Sequence, residues 1–160
     1  MSLLPGLSIR RATLFDSAVL REILHDTYAS TWLPQVTAEA ARAFRDEDRP
    51  ARYVAERGAL FWVAGREGEV VGFVDWEADF LNALHVRSSH ARLGVGARLM
   101  DQAEAEIAGL GFSEVRLETD SFNTRSQAFY ASRGYREVDR YPDKEWNSGL
   151  TTLLLVKALR

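Results

Sequence analysis

Two glycines stand one residue apart in the stretch Arg92-Leu93-Gly94-Val95-Gly96-Ala97-Arg98, where an apolar run gives way to a helical pattern. Glycine loses more conformational freedom on folding than any other residue, so its use at a helix start needs a reason. The usual reason is close approach of backbone to a ligand, and the unpaired N–H groups of a first helical turn suit a phosphate. Arg92 and Arg98 add positive charge beside the loop. Two familiar phosphate loops do not fit. A Walker loop needs Gly-Lys-Ser/Thr, and Gly96 is followed by Ala97. A dinucleotide fingerprint needs a third glycine where Leu99 stands and a first glycine directly off its strand, whereas seven residues separate Val86 from Gly94. Taken alone, Gly-Val-Gly leaves a phosphate cradle and a plain sharp turn both open.

Acid–base chemistry has its own candidates. Period two along Val70 to Glu77 places Val71, Phe73, Asp75 and Glu77 on one strand face. Two carboxylates so placed could accept a proton, directly or through water, and as like charges in proximity could raise each other's pKa. They could equally be solvated charges at a strand end that draw in a cationic substrate. His85 is a base candidate by its near-neutral intrinsic pKa, or a structural histidine in a strand. His25 and His90 are too scattered to argue for a metal site, and no metal is expected. The absence of cysteine excludes disulfides, thiolate zinc sites and a cysteine nucleophile.

Periodicity supplies the elements that must position these groups. Leu7 to Thr13 reads as a first strand, followed by a helix capped by Asp16, with Phe15 and Leu20 forming a hydrophobic staple. The segment Thr31-Trp32-Leu33-Pro34 breaks that helix, and Thr37 caps a second one running to about Arg45. Strands are expected over Leu60–Ala64, Val70–Glu77 and Leu81–Val86, then a helix from about Gly94 to Ala108 stopped by Gly109 and Gly111. A strand over Glu114–Thr119, a helix capped by Asn123 and ending at Gly134, and strands over Tyr135–Tyr141 and Thr151–Ala158 complete the order. Strands meet both as hairpins and through helical crossovers. The expected fold is therefore α/β (α+β): a mixed, mostly antiparallel central sheet of about seven strands with helices on both faces.

The 160 residues suit one domain with a sizeable core, and 46% apolar with 27% charged residues is ordinary for a globular chain. A net charge of −3 without a basic run argues against a nucleic-acid partner. The N-terminus lacks the basic start and apolar run of a signal peptide, and no stretch approaches the roughly 20 apolar residues of a membrane span. A cytoplasmic protein with no membrane partner is expected.

The downstream half is more specific. Asn123-Thr124-Arg125-Ser126-Gln127-Ala128-Phe129-Tyr130, then Gly134-Tyr135, follows Leu84-His85-Val86 and the Gly94-Val95-Gly96 loop. With these in order, the sequence resembles the GNAT superfamily of N-acetyltransferases over nearly its whole length. The last strand, Leu153-Leu154-Leu155-Val156-Lys157-Ala158-Leu159, is also typical of that family.

The resemblance implies a single N-acetyltransferase domain over 1–160 that binds acetyl-CoA where two central parallel strands, Leu81–Val86 and Glu114–Thr119, splay apart. It places main-chain groups near Leu84 and Val86 against the pantetheine arm. A backbone N–H near Val86 would polarise the thioester carbonyl. It assigns Arg92, Leu93, Gly94, Val95, Gly96 and Ala97 to the pyrophosphate, and Asn123 to the CoA arm alongside its helix-capping role. Tyr130 would protonate the departing thiolate, or simply pack beside Phe129.

Two positions depart from the family pattern. The strand start Phe80-Leu81-Asn82 lacks the glutamate that many members use as base, which leaves Asp75 and Glu77 as candidates; Ala91 stands where Arg or Gln usually precedes the loop glycines. The acceptor site is expected near Tyr28, Trp32, Leu33 and Pro34 and the loop bearing Tyr141 and Trp146. Aromatic residues there would hold a small-molecule amine or peptide acceptor. The resemblance also allows a homodimer. A catalytically weak acyl-CoA-binding or sensor module on the same fold stays open as the alternative, supported by the missing glutamate.

Overall fold

In the computed structural model, which describes residues 6–143 and 148–159, seven strands form one sheet. They are β1 (Leu7–Arg11), β2 (Trp62–Arg66), β3 (Glu69–Glu77), β4 (Phe80–Val86), β5 (Glu114–Asp120), β6 (Arg136–Pro142) and β7 (Thr151–Ala158). Their order across the sheet is β1-β2-β3-β4-β5-β7-β6, and every neighbouring pair is antiparallel except β4–β5. The mixed, mostly antiparallel sheet expected from the sequence is the one observed.

The helices are α1 (Ser17–Thr27), α2 (Ala38–Asp46), α3 (Arg49–Arg57), α4 (Val95–Gly109) and α5 (Thr124–Ser132). They leave two apolar cores, one on each face of the sheet. On one face Leu20 and Ile23 of α1 and Val54 of α3 pack on Phe61, Val63 and Phe73. On the other, Val95, Leu99, Ala103 and Ile107 of α4 and Tyr130 of α5 pack on Val74, Leu81, Val115, Leu117 and Leu155. Gly72 makes the second contact close: a Cβ there would stand 2.9 Å from the His85 carbonyl oxygen and 3.2 Å from Val95.

Four local expectations need correction. Asp16 does not cap α1. It closes a capping box on a 3-10 turn at Leu14–Asp16, and its carboxylate is taken by Arg10 at 2.9 Å. The staple does not form, since Phe15 is 99% exposed. No element was expected between Arg45 and Leu60, yet α3 lies there, started by the Asp48 side chain accepting from the Ala51 N–H with Pro50 in the first turn. Finally, the β2–β3 register shifts between Ala64 and Gly65, so Val71 joins the α4 core while Phe73 joins the α1 core. One extra residue flips every side chain that follows it, so period two cannot be carried across a bulge.

Candidate active site

The parallel contact between β4 and β5 is short. Only Phe80↔Arg116 and Leu81↔Leu117 pair, after which the two strands part. The closed end is fastened by Arg116, whose guanidinium grips Asp79 through two bonds of 3.1 and 3.0 Å and whose N–H donates to the Asp79 carbonyl. The parting begins at a bulge. Asp75 opposes Ala83 while Trp76 opposes Leu81, so Asn82 is the extra residue of β4. Beyond it, the edge of β4 through Leu84 to Val86 has no strand partner on the β5 side.

Asp75 holds that bulge. It is fully buried and receives the Tyr53 hydroxyl at 2.6 Å, Arg57 Nε at 2.7 Å, Arg57 Nη2 at 3.0 Å and Asn82 Nδ2 at 3.1 Å. The carboxylate is thereby neutralised by a two-pronged guanidinium and shut away from solvent. This corrects the expectation that Asp75 could serve as a proton acceptor. Its geometry is that of a strut joining α3 to the β4 bulge. Glu77 is largely exposed, with Arg57 Nη1 3.9 Å away. The two acids do share a face, but the guanidinium of Arg57 reaches both. Glu77 pairs with Phe80, which places it at the closed end of the split.

The glycine loop meets the open end. Gly94 takes φ +89° as the N-cap of α4 and Arg92 takes φ +65°, so the chain enters the helix through left-handed backbone. No side chain caps this helix, and its first internal bond is Arg98 N–H to the Gly94 carbonyl. The N–H groups of Val95, Gly96 and Ala97 therefore form an uncapped first turn. Arg92 and Arg98 pair with no carboxylate among the described residues. Gly96 is spared for a different reason from Gly94. A Cβ there would meet only Phe129 Cζ at 3.5 Å and Leu84 Cδ2 at 3.8 Å, which are ordinary contacts. The fold itself has room for alanine at 96. The residues present suit a diphosphate at this end of the split.

Across the split, α5 brings Asn123 and Tyr130. Asn123 Oδ1 caps the helix by accepting the Ser126 N–H at 3.1 Å. Tyr130 is buried, edge-on to Phe129 and Tyr135, and no described residue hydrogen-bonds its hydroxyl. Burial pushes its pKa up, so the phenol keeps its proton at neutral pH.

The opposite face carries the groups expected at an acceptor site. After α1 the chain makes a π turn over Tyr28–Trp32. Tyr28 stacks on Phe44 of α2, with ring centroids 3.5 Å apart. Trp32 lies 5.7 Å from the His85 ring and donates its indole N–H to Asp120 Oδ2 at 2.7 Å. Leu33 is partly exposed beside it. The segment before α2 meets the β6–β7 connection, where the Thr37 N–H donates to the Ser148 carbonyl. Tyr141 donates to Glu118 through a short hydrogen bond. Trp146 lies outside the described residues.

His85 shares the 2.8 Å contact between its Nδ1 and the Thr27 hydroxyl and stacks on Phe73; burial brings its pKa down to about 4. It is a neutral, hydrogen-bonded strand histidine. Among the described residues no cluster of three or more metal-ligating side chains occurs, and no helix is long and apolar enough to cross a membrane.

Asp120 was not anticipated, because the strand expected from the sequence stopped at Thr119. The alternation Arg116-Glu118-Asp120, opposite Val115-Leu117-Thr119, is the signal that could have found it.

Comparison with known proteins bears on this arrangement. An uncharacterised N-acetyltransferase from Lactobacillus delbrueckii subsp. lactis is 25% identical over 154 residues, covering 89% of each chain. The crystal structure of a GCN5-related N-acetyltransferase from Rhodopseudomonas palustris superposes with a TM-score of 0.82 at 21% identity, over 99% of both chains. The PaiA N-acetyltransferase of Thermoplasma acidophilum, solved with coenzyme A, gives a TM-score of 0.76 at 19% identity, again over 99% of both chains. The profile of the acetyltransferase (GNAT) family matches residues 19–135. A sheet parted after two parallel pairs, an uncapped glycine turn at the open end and this match lead to one conclusion: the chain belongs to the GNAT acetyltransferase family.

Proposed function

We propose that the protein uses acetyl-CoA to acetylate a primary amine, held with the donor in one ternary complex. The observation that carries this reading is the split between β4 and β5 ending at the bare first turn of α4. In this reading the N–H groups of Val95, Gly96 and Ala97, with Arg92 and Leu93 beside them, receive the pyrophosphate at the positive end of the helix. The unpaired edge of β4 near Leu84 and Val86 supplies main-chain partners for the pantetheine arm, and Asn123 lines the far side. Tyr130 keeps its proton through burial and donates it toward the leaving sulfur. Direct attack gains from both partners being held in place, and the cysteine-free chain offers no thiol for a covalent route. Tyr28 and Trp32 line the acceptor side, which takes a small-molecule amine or a peptide amine.

Thermal melting with acetyl-CoA, CoA, ATP and NAD tests the donor. A ligand at about 100 times its Kd stabilises the fold by roughly 2.7 kcal/mol. The reading requires a shift with acetyl-CoA and CoA and none with ATP or NAD. Thiol release in the presence of primary amines then tests transfer.

A further inference from the structure

An ammonium acceptor must lose a proton before its nitrogen can attack, and neither Asp75 nor Glu77 is placed to take it. The other face of the split has a carboxylate that is. Along β5, Leu117 enters the α4 core and Thr119 meets Ser126 of α5. Glu118 and Asp120 therefore project from the opposite face, where α1 and the π turn lie. Asp120 stands three residues past the last β4–β5 pair, on the β5 lip of the opening.

Trp32 ties the two lips together. Its indole N–H holds Asp120 Oδ2 at 2.7 Å, while its ring contacts His85 of β4. Asp120 Oδ1 accepts no hydrogen bond from a described residue. The groups facing this carboxylate are Glu118 on its own strand, Asp143 beyond β6 and Trp32 from the π turn; no described cation pairs with it. Burial raises its pKa from the ordinary aspartate value, the indole N–H opposes that rise, and the negative charges of Asp143 and Glu118 add to it. A partly buried carboxylate with one oxygen fixed and the other without a described partner suits a cation that also delivers a proton.

We propose that Asp120 receives the acceptor's ammonium group and takes its proton, with Trp32 as the positioning residue that fixes the carboxylate. The assignment rests on the amine-transfer reading above. In the reaction the N–C bond forms as the C–S bond breaks, and the electron pair of that bond goes to sulfur. Nitrogen sheds two protons. One leaves through Asp120 to water; the other offsets the proton that Tyr130 gives to sulfur.

The test uses thiol release from acetyl-CoA with phenethylamine, spermidine and a short peptide with a free N-terminus. The fastest of the three is then carried through the variants. Asp120→Asn keeps an acceptor for the Trp32 indole. It should keep the acetyl-CoA melting shift, which also shows that it is folded, yet lose about 100-fold or more in kcat/KM and lose the acidic limb of the pH profile. Asp120→Glu should recover part of the rate. Trp32→Phe removes a donor that favours the anion, so its acidic limb should move to higher pH. An Asp120→Asn variant with the wild-type profile would overturn the assignment, as would an acidic limb that vanishes in Glu118→Gln instead. If wild type binds acetyl-CoA but turns over none of the three amines, the amine-transfer reading falls as well.

Discussion

Gly96→Ala should move stability and ligand binding in opposite directions. In the folded protein the new methyl group meets nothing nearer than Phe129 at 3.5 Å, so it costs no strain. Position 96 lies in the first turn of α4, without positive φ, where replacing glycine by alanine removes unfolded-state freedom worth about 0.5–1 kcal/mol. For a chain of this size that raises the ligand-free Tm by about 1–4 °C. The same methyl occupies the space through which a diphosphate would reach the N–H groups of the turn. A tenfold loss of affinity would cut the stabilisation by acetyl-CoA, at about 100 times the wild-type Kd, from roughly 2.7 to about 1.4 kcal/mol. Differential scanning fluorimetry of both proteins with and without acetyl-CoA reads both quantities at once. An unchanged ligand shift in the variant would refute the argument, since nothing would then approach the backbone at 96.

Tyr130→Phe should lower kcat by about 100-fold or more while leaving the acetyl-CoA melting shift in place, as read by thiol release and fluorimetry. Asp75→Ala removes the two-pronged partner of Arg57, a largely buried guanidinium, and leaves it the Trp76 carbonyl and the more distant Glu77; it should destabilise the fold by about 3 kcal/mol in urea titrations; a loss under 1 kcal/mol would mean that the strut is not needed. Gly72→Ala forces a methyl against the His85 carbonyl oxygen at 2.9 Å and should cost about 1–3 kcal/mol, in contrast with the gain at Gly96. His85 has a folded pKa of about 4 against 6.5 when free, so its neutral form is favoured by folding. Its contribution is complete above pH 6.5 and is lost as the pH falls toward 4, by roughly 3 kcal/mol in all. A His85→Gln variant should show a shallower fall in urea stability across that window than wild type.

What the sequence disclosed depended on how local the cause was. Gly94 announces the helix start because the left-handed backbone it supplies belongs to that residue itself. Asn123 as a cap and the strand at Thr151–Ala158 were legible for the same reason. The role of Asp75 was not, because its partners Tyr53 and Arg57 come from a helix about twenty residues earlier that periodicity did not mark. Phe15 looked like a staple by spacing alone, but the turn it sits in points it to solvent. Asp120 is defined by Trp32, 88 residues away, and no window along the chain contains both.

The two-pair junction between β4 and β5 also shapes how the molecule holds together. Strands β1 to β4 and strands β5, β7 and β6 are each closely laddered, but among the described residues the ladder between these two halves has just the pairs Phe80–Arg116 and Leu81–Leu117, with the main-chain and side-chain bonds of Arg116 to Asp79 beside them. Amides that flank the parting lie at the middle of the sheet yet lack the ladder that normally shields such positions. They should exchange deuterium on the timescale of an edge, and a bound arm that bonds to β4 should slow them. The donor would then be a structural member of the sheet as well as a reactant, stiffening the seam between two halves that the chain leaves barely sewn.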